Sequence, residues 1–164
     1  MIFKTERLIV RKLVIGDLES FHKMQSNFNV MKFADGQVKT KAEHFQELKD
    51  LIDKYNLLNN DFWIYAIETK KNHQFIGTVA LIKDNLDDEI GYRLLEKYWN
   101  LGYGSEICKG LIFYCKQIKF KKIVAYVIDK NIASVKILEK NNFITVDEFF
   151  NDESEKEIKY VLEL

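Results

Sequence analysis

Apolar and polar positions alternate imperfectly across residues 7–13, among β-branched side chains, and this predicts a first strand. Gly16-Asp17 ends it, and Asp17 is placed to cap a helix running to about Ser26. Residues 27–39 have no clear period. They carry Phe28, Met31, Phe33 and an Asp35-Gly36 turn, an apolar loop that either packs down or lines a substrate pocket. Thr40-x-x-Glu43 is a capping box, after which Ala42, Phe45, Leu48, Leu51, Ile52 and Tyr55 recur at helical spacing to about Leu58. Residues 62–68 and 75–82 read as strands joined by the polar connection 69–74, and a turn over 84–88 leads to a strand starting at Glu89. Ile107, Leu111, Ile112, Tyr114, Cys115 and Ile118 then mark a helix. Gly110 within it costs roughly 1 kcal/mol against alanine, and close packing on a neighbour is the usual reason for such a residue. A strand over 122–128, a helix patterned by Ile132, Val135, Ile137 and Leu138 that ends near Asn141, and an antiparallel pair over 143–150 and 157–164 complete the chain.

The order βααβββαβαββ predicts a mixed α/β fold. Its sheet is mostly antiparallel and twisted, with about seven strands and helices on both faces. The helix between the Glu89 strand and the strand at residue 122 is long enough for one parallel, right-handed crossover. At 164 residues, without repeats, low-complexity tracts or linkers, the chain reads as one domain over 1–164. Acidic and basic residues are matched at 25 each, which argues against a general polyanion surface and, with no stacking motif, against nucleic acid as a partner. Apolar runs are too short to span a bilayer and the start lacks signal-peptide character, so a cytoplasmic protein is expected. Cys108 and Cys115 are seven apart in a helical pattern, too far for an intrahelical disulfide, and are read as core thiols. His22, His44 and His73 show no metal spacing; they are read as surface or loop residues, and no metal is expected.

The chemistry concentrates where strand patterning gives way to helix. Gly102 and Gly104 flank Tyr103 at that point. Glycine admits positive φ and close backbone approach, and the first amides of a helix lack internal partners, so the pair suits a phosphate or pyrophosphate. No Lys-Ser or Lys-Thr follows Gly104, which excludes a P-loop, and Ile107 stands where the dinucleotide fingerprint needs its third glycine. A bare Gly-x-Gly is a weak signal, since many such pairs are only tight connections. Gly91, inside a strand, marks a bulge, a close backbone approach or a packing accommodation.

Three stretches together resemble the GNAT superfamily of acyl-CoA-dependent N-acetyltransferases, in particular its Rim branch, which acetylates ribosomal-protein N-termini. They are Thr5-Glu-Arg-Leu-Ile-Val-Arg-Lys-Leu with Asp17 following; Glu89-Ile-Gly-Tyr-Arg-Leu with Tyr98-Trp-Asn-Leu-Gly-Tyr-Gly-Ser-Glu106; and Asn131-x-x-Ser134 running on to Asn141-Asn-Phe143. The chain departs from the pattern in having Trp99 three residues before the first loop glycine, Asn142 where a glycine usually precedes Phe143, and Leu138 where many members carry a tyrosine acid. The resemblance implies acetyl-CoA as cosubstrate, its pyrophosphate held by Asn100, Leu101, Gly102, Tyr103, Gly104 and Ser105. A bulge at Gly91 would let the strand part from its parallel neighbour, so that the pantetheine arm pairs with backbone at Leu94 and Leu95. Asn131 and Ser134 would hold the pantetheine end, and an N–H near Leu94 would meet the oxyanion.

Glu89 matches a general-base position, acting through a water on an ammonium of pKa about 10.4. It is equally readable as part of a solvated acidic cluster with Asp87 and Asp88. Alternation puts Glu89, Gly91 and Arg93 on one face of the strand and Tyr92 on the other. With Leu138 unable to donate, Ser134 is first choice for protonating the thiolate and Tyr92 second. Trp63, Tyr65 and the loop from Phe28 to Asp35 are candidates for the acceptor side, with core packing as the competing reading. The function implied is acetyl transfer to a primary amine, a protein N-terminus or a small molecule, by direct attack in a ternary complex. The alternative is a non-catalytic acyl-CoA-binding or sensing module, and a homodimer is compatible with either.

Overall fold

The computed structural model describes residues 1–34, 39–84 and 86–164. Its strands are β1 (Phe3–Lys4), β2 (Leu8–Lys12), β3 (Phe62–Thr69), β4 (Phe75–Asp84), β5 (Asp87–Leu94), β6 (Lys122–Ile128), β7 (Ile144–Phe150) and β8 (Lys156–Glu163). Its α-helices are α1 (Leu18–Gln25), α2 (Phe28–Met31), α3 (Lys41–Lys54), α4 (Tyr103–Gln117) and α5 (Ile132–Lys140). The strands form one sheet in the order β1-β2-β3-β4-β5-β6-β8-β7. All neighbours are antiparallel except β5 and β6, whose parallel connection carries α4 across one face as the pattern predicts.

Each face of the sheet holds its own core. On one, Ile107, Cys108, Leu111 and Cys115 of α4 and Leu138 of α5 pack over Ile76, Ile90 and Ile123. On the other, Phe21 and Met24 of α1 and Leu48 and Leu51 of α3 pack over Leu13, Ala66 and Phe75. Gly110 has its reason in the first core: a Cβ there would lie 2.6 Å from Thr5 Cγ2 and 2.9 Å from Phe3 Cε2, so the absent side chain makes room for the N-terminal strand. Both thiols are fully buried, and burial pushes each up to about 12, leaving them protonated and inert.

Several expectations need correction. The described residues form eight strands where about seven were expected, because the two-residue β1 escapes any periodicity argument. Within the expected loop, Asn27 caps a four-residue helix, its Oδ1 accepting from the Asn29 and Val30 amides. The Asp35-Gly36 turn lies outside the described residues. Asp17 stands at the N-cap position of α1, but its side chain makes no cap bond. Its carboxylate accepts instead from Val14 N–H at 2.9 Å and pairs with both terminal nitrogens of Arg11 at 2.8 Å each. Arg11 also donates to Glu68 at 2.6 Å, which joins β2, β3 and the turn before α1. The Thr40–Glu43 box is formed, but α3 stops at Lys54. His44, read as surface or loop, is buried on α3 at 1% exposure. Trp63 and Tyr65 stack on Tyr55, at 6.0 and 5.7 Å between ring centroids, in line with the core-packing reading, and neither lines the smaller cavity described below. Asn142 adopts φ 65°, the left-handed turn expected where glycine is usual.

Candidate active site

β5 divides two cavities. The larger, about 640 Å³, runs from the start of α4 through the opening between β5 and β6 to α5. Its form follows from how β5 meets its neighbours. Toward β4 the register is unbroken from Gly77–Leu94 to Asp84–Asp87, so the expected bulge at Gly91 is absent. Toward β6 the strands pair only at Glu89 and Val124, and they part beyond that point. The opening therefore arises from divergence of two strands, with no extra residue inserted. Leu95 N–H donates to Ile76 O on β4 at 2.9 Å, so alternation turns Leu94 N–H toward the opening. Leu95 is committed on both sides, its carbonyl accepting from Tyr98 N–H at 2.9 Å, and it takes no part in lining the groove. Trp99 has a local role: its indole N–H donates to Leu94 O at 2.9 Å and pins the strand end.

At the other end of the groove, Gly102 sits at φ 80° and Asn100 at φ 58°, which turns the chain sharply into α4. Gly102 offers no side chain to cap the helix, and the first internal bond is Glu106 N–H to Gly102 O. The Tyr103, Gly104 and Ser105 amides thus precede the helical ladder with no acceptor among the described residues. The other long helices differ: Thr40 and Asn131 accept from the amides of Glu43 and Ser134. Gly104 must also stay small, since a Cβ would lie 3.1 Å from Ile137 Cδ1 and 3.4 Å from Tyr92 Cε2. Three uncapped amides, a dipole and a glycine-lined wall fit a diphosphate. Asn100, Gly102, Gly104, Ser105, Asn131 and Ser134 all line this groove, while Leu101 and Tyr103 contribute backbone and bracing.

That bracing depends on a residue whose function sequence reasoning missed. Arg7 Nε pairs with Glu106 at 2.6 Å, its backbone N–H reaches the same carboxylate at 2.7 Å, and its Nη1 donates to Leu101 O at 3.0 Å. The guanidinium lies 4.3 Å from the Tyr103 ring centroid, and Thr5 Oγ1 donates to Glu106 as well. Burial works against the Glu106 carboxylate, but the bonds from Thr5 and Arg7 prevail and hold its pKa below the usual range. A depressed folded-state value means the brace is present above the ordinary carboxylate range and is lost as pH falls through the lower value. We expect Arg7→Ala to weaken coenzyme A binding about tenfold by calorimetric titration, while the partly exposed ion pair contributes little to melting temperature.

Tyr92 projects toward α4 and α5, as alternation requires. Its hydroxyl is buried with no hydrogen-bond partner of ordinary geometry. Burial raises its pKa and keeps the phenol protonated, and Ser134 is close enough only to soften that shift. The smaller cavity, about 450 Å³, opens on the other face between β3–β5 and α1 and α3. Glu89, Gly91 and Arg93 line it together with Gln25, Glu47 and His44. Glu47 accepts from Gln25 at 3.1 Å and Lys39 at 2.9 Å, and Gln25 in turn accepts from Arg93. Gly91, Tyr92 and Arg93 border both cavities. Among the described residues no group of three or more His, Cys, Asp or Glu is arranged for a metal, and no helix is long and apolar enough to cross a membrane.

Known proteins resemble this chain in sequence and in fold. The sequence model of the acetyltransferase (GNAT) domain matches residues 7–144. The uncharacterized N-acetyltransferase YoaA of Bacillus subtilis (strain 168) is 26% identical in an alignment that covers 87% of this chain and 82% of that protein. Among solved structures, a GNAT-family acetyltransferase from Bacillus anthracis superimposes with a TM-score of 0.86 at 24% identity, over 98% of this chain and 97% of its own. RimL, the ribosomal L7/L12 alpha-N-protein acetyltransferase in complex with coenzyme A, superimposes with a TM-score of 0.83 at 16% identity, over 98% of this chain and 96% of its own.

Proposed function

This chain belongs to the GNAT acetyltransferase family, and from that premise we propose that the whole chain is one catalytic domain, a cytoplasmic N-acetyltransferase carrying acetyl groups from acetyl-CoA to a primary amine. The observation that carries this reading is the shared wall. Gly91, Tyr92 and Arg93 touch the groove on one side and the acceptor cavity on the other, so a thioester in the first and an amine in the second meet across β5. Direct attack in a ternary complex needs only that proximity, which can contribute about 7–11 kcal/mol.

The remaining roles follow from position. The Tyr103, Gly104 and Ser105 amides bind the diphosphate, and Leu94 N–H offers the donor an extended arm or a developing oxyanion requires. Asn131 spends its Oδ1 on capping α5, so its part is to fix Ser134 at the groove wall. Glu89, at the last paired position of β5 and β6, faces the acceptor cavity and removes a proton from the incoming ammonium through water. Tyr92, protonated and lacking an acceptor, is placed ahead of Ser134 as the donor to the departing thiolate. Tyr92→Phe should lower kcat by about tenfold or more and move KM for acetyl-CoA little, as read from steady-state thiol release. The likeness to RimL supports a protein N-terminus as acceptor, and the likeness to a spermidine N-acetyltransferase from Vibrio cholerae supports a small-molecule amine.

The test is thiol release from acetyl-CoA against peptides with free N-termini and a panel of small amines. Acceptor-dependent release supports the enzyme. Tight coenzyme A binding with no acceptor raising release above background would instead mark an acyl-CoA-sensing module.

A further inference from the structure

Resting on the acetyltransferase reading, we propose that His44 and His22 form a two-ring relay that carries the proton released by the acceptor amine from the cavity wall to solvent. His44 lines the acceptor cavity at 1% exposure, while His22, on α1, is half-buried and lies outside the cavity lining. Their Nδ1 atoms are 2.7 Å apart, and Ser26 Oγ stands 3.2 Å from His22 Nδ1. Two ring nitrogens at that distance share one proton: one donates and the other accepts. With Nδ1 turned to its partner, His44 has Nε2 as its remaining nitrogen for the cavity. The pair is thus a short path of protonatable atoms from the cavity wall toward the outer side of α1.

Stoichiometry supplies the need. An alkylammonium attacking a thioester forms a C–N bond and breaks a C–S bond, and two protons leave nitrogen. One ends on the thiol; the other has to reach solution. In the relay His44 Nε2 accepts that proton, the Nδ1 proton crosses to His22 Nδ1, and His22 gives up the proton on its Nε2. No electrons change hands beyond those of the acyl transfer. Exchange with water after product release restores the starting tautomers.

The surroundings of His44 favour its neutral form. Burial is the main influence on His44 and lowers its pKa, partly offset by Glu47 and reinforced by His22. The other charges facing the pair are Glu43 on α3, Lys39 before it, Glu19 on α1, and Glu89 and Arg93 across the cavity on β5. Glu89 and Glu47 line the same cavity as His44, and Lys39 and Arg93 beside them disfavour a further positive charge there.

His22→Ala tests the relay without touching the cavity wall. We expect kcat in dilute buffer to fall roughly tenfold, below the range of direct acid–base catalysis, with the acid limb of the pH profile displaced. Added imidazole should restore turnover in proportion to its concentration, while KM for acetyl-CoA stays unchanged. His22→Gln, which fills the space and keeps a hydrogen bond to His44, should show the same loss. Wild-type turnover in both variants would overturn the relay, as would a loss that tracks melting temperature and ignores imidazole. A wild-type enzyme inactive with every amine would bring down the acetyltransferase reading and the relay with it.

Discussion

Gly102→Val is expected to reduce coenzyme A affinity by one to two orders of magnitude, the largest binding effect of any single change in the loop. Gly102 holds φ 80°, where a β-branched residue is an outlier, and the left-handed region costs an L-residue about 1–2 kcal/mol. A side chain there would also start 3.4 Å from Arg7 Nη2, against the brace that fixes the loop. If the strain relaxes by turning Gly102 out of this conformation, the amides of Tyr103, Gly104 and Ser105 no longer converge. A hydrogen bond to a charged group is worth about 1.5–3 kcal/mol, so misplacing one of the three already accounts for roughly tenfold to a hundredfold. Gly16→Val is the control, because Gly16 has no positive φ and a Cβ there meets only Val14 Cγ2 at 3.9 Å. Calorimetric titration of both variants should separate them. Equal losses would mean that the α4 loop is not where the diphosphate binds.

Glu89→Gln should lower kcat about a hundredfold near neutral pH and leave coenzyme A affinity intact. Glutamine has the same shape but accepts no proton. An alkylammonium with a pKa near 10.4 is almost wholly protonated at neutrality, so a base that frees the amine matters most there. As pH rises the amine deprotonates unaided, and the variant should approach the wild type toward pH values of about 10. The measured quantity is the ratio of the two pH–rate profiles. A ratio that stays constant with pH, or stays at one, removes Glu89 from the chemistry.

The parts of this site that could be read from the sequence are those with local chemistry. Gly102 and Gly104 announce a helix start without a capping side chain, and strand alternation places Glu89 and Arg93 opposite Tyr92. The Thr40 box and the left-handed Asn142 follow from single-residue preferences. What stayed hidden depends on distant contacts. Arg7 and Glu106 are 99 positions apart, and no periodicity reveals that one carboxylate ties the start of β2 to the first turn of α4. The divergence of β5 from β6 belongs to the packing of two helices and a sheet, so a bulge at Gly91 was a natural but mistaken substitute. His44 did carry a local signal. It stands four and seven positions before Leu48 and Leu51, on the same buried stripe of α3, and a polar residue on an apolar stripe calls for a partner.

The central claim is that uncapped amides at the start of α4 hold the diphosphate while the parted edge of β5 receives the arm behind it. Amide hydrogen exchange with and without coenzyme A reads this directly. Exchange should slow at Tyr103, Gly104, Ser105 and Leu94, with the start of α3 unchanged because Thr40 already caps it. Unaltered exchange at those four amides in the presence of bound coenzyme A, or protection confined to another part of the fold, would contradict it.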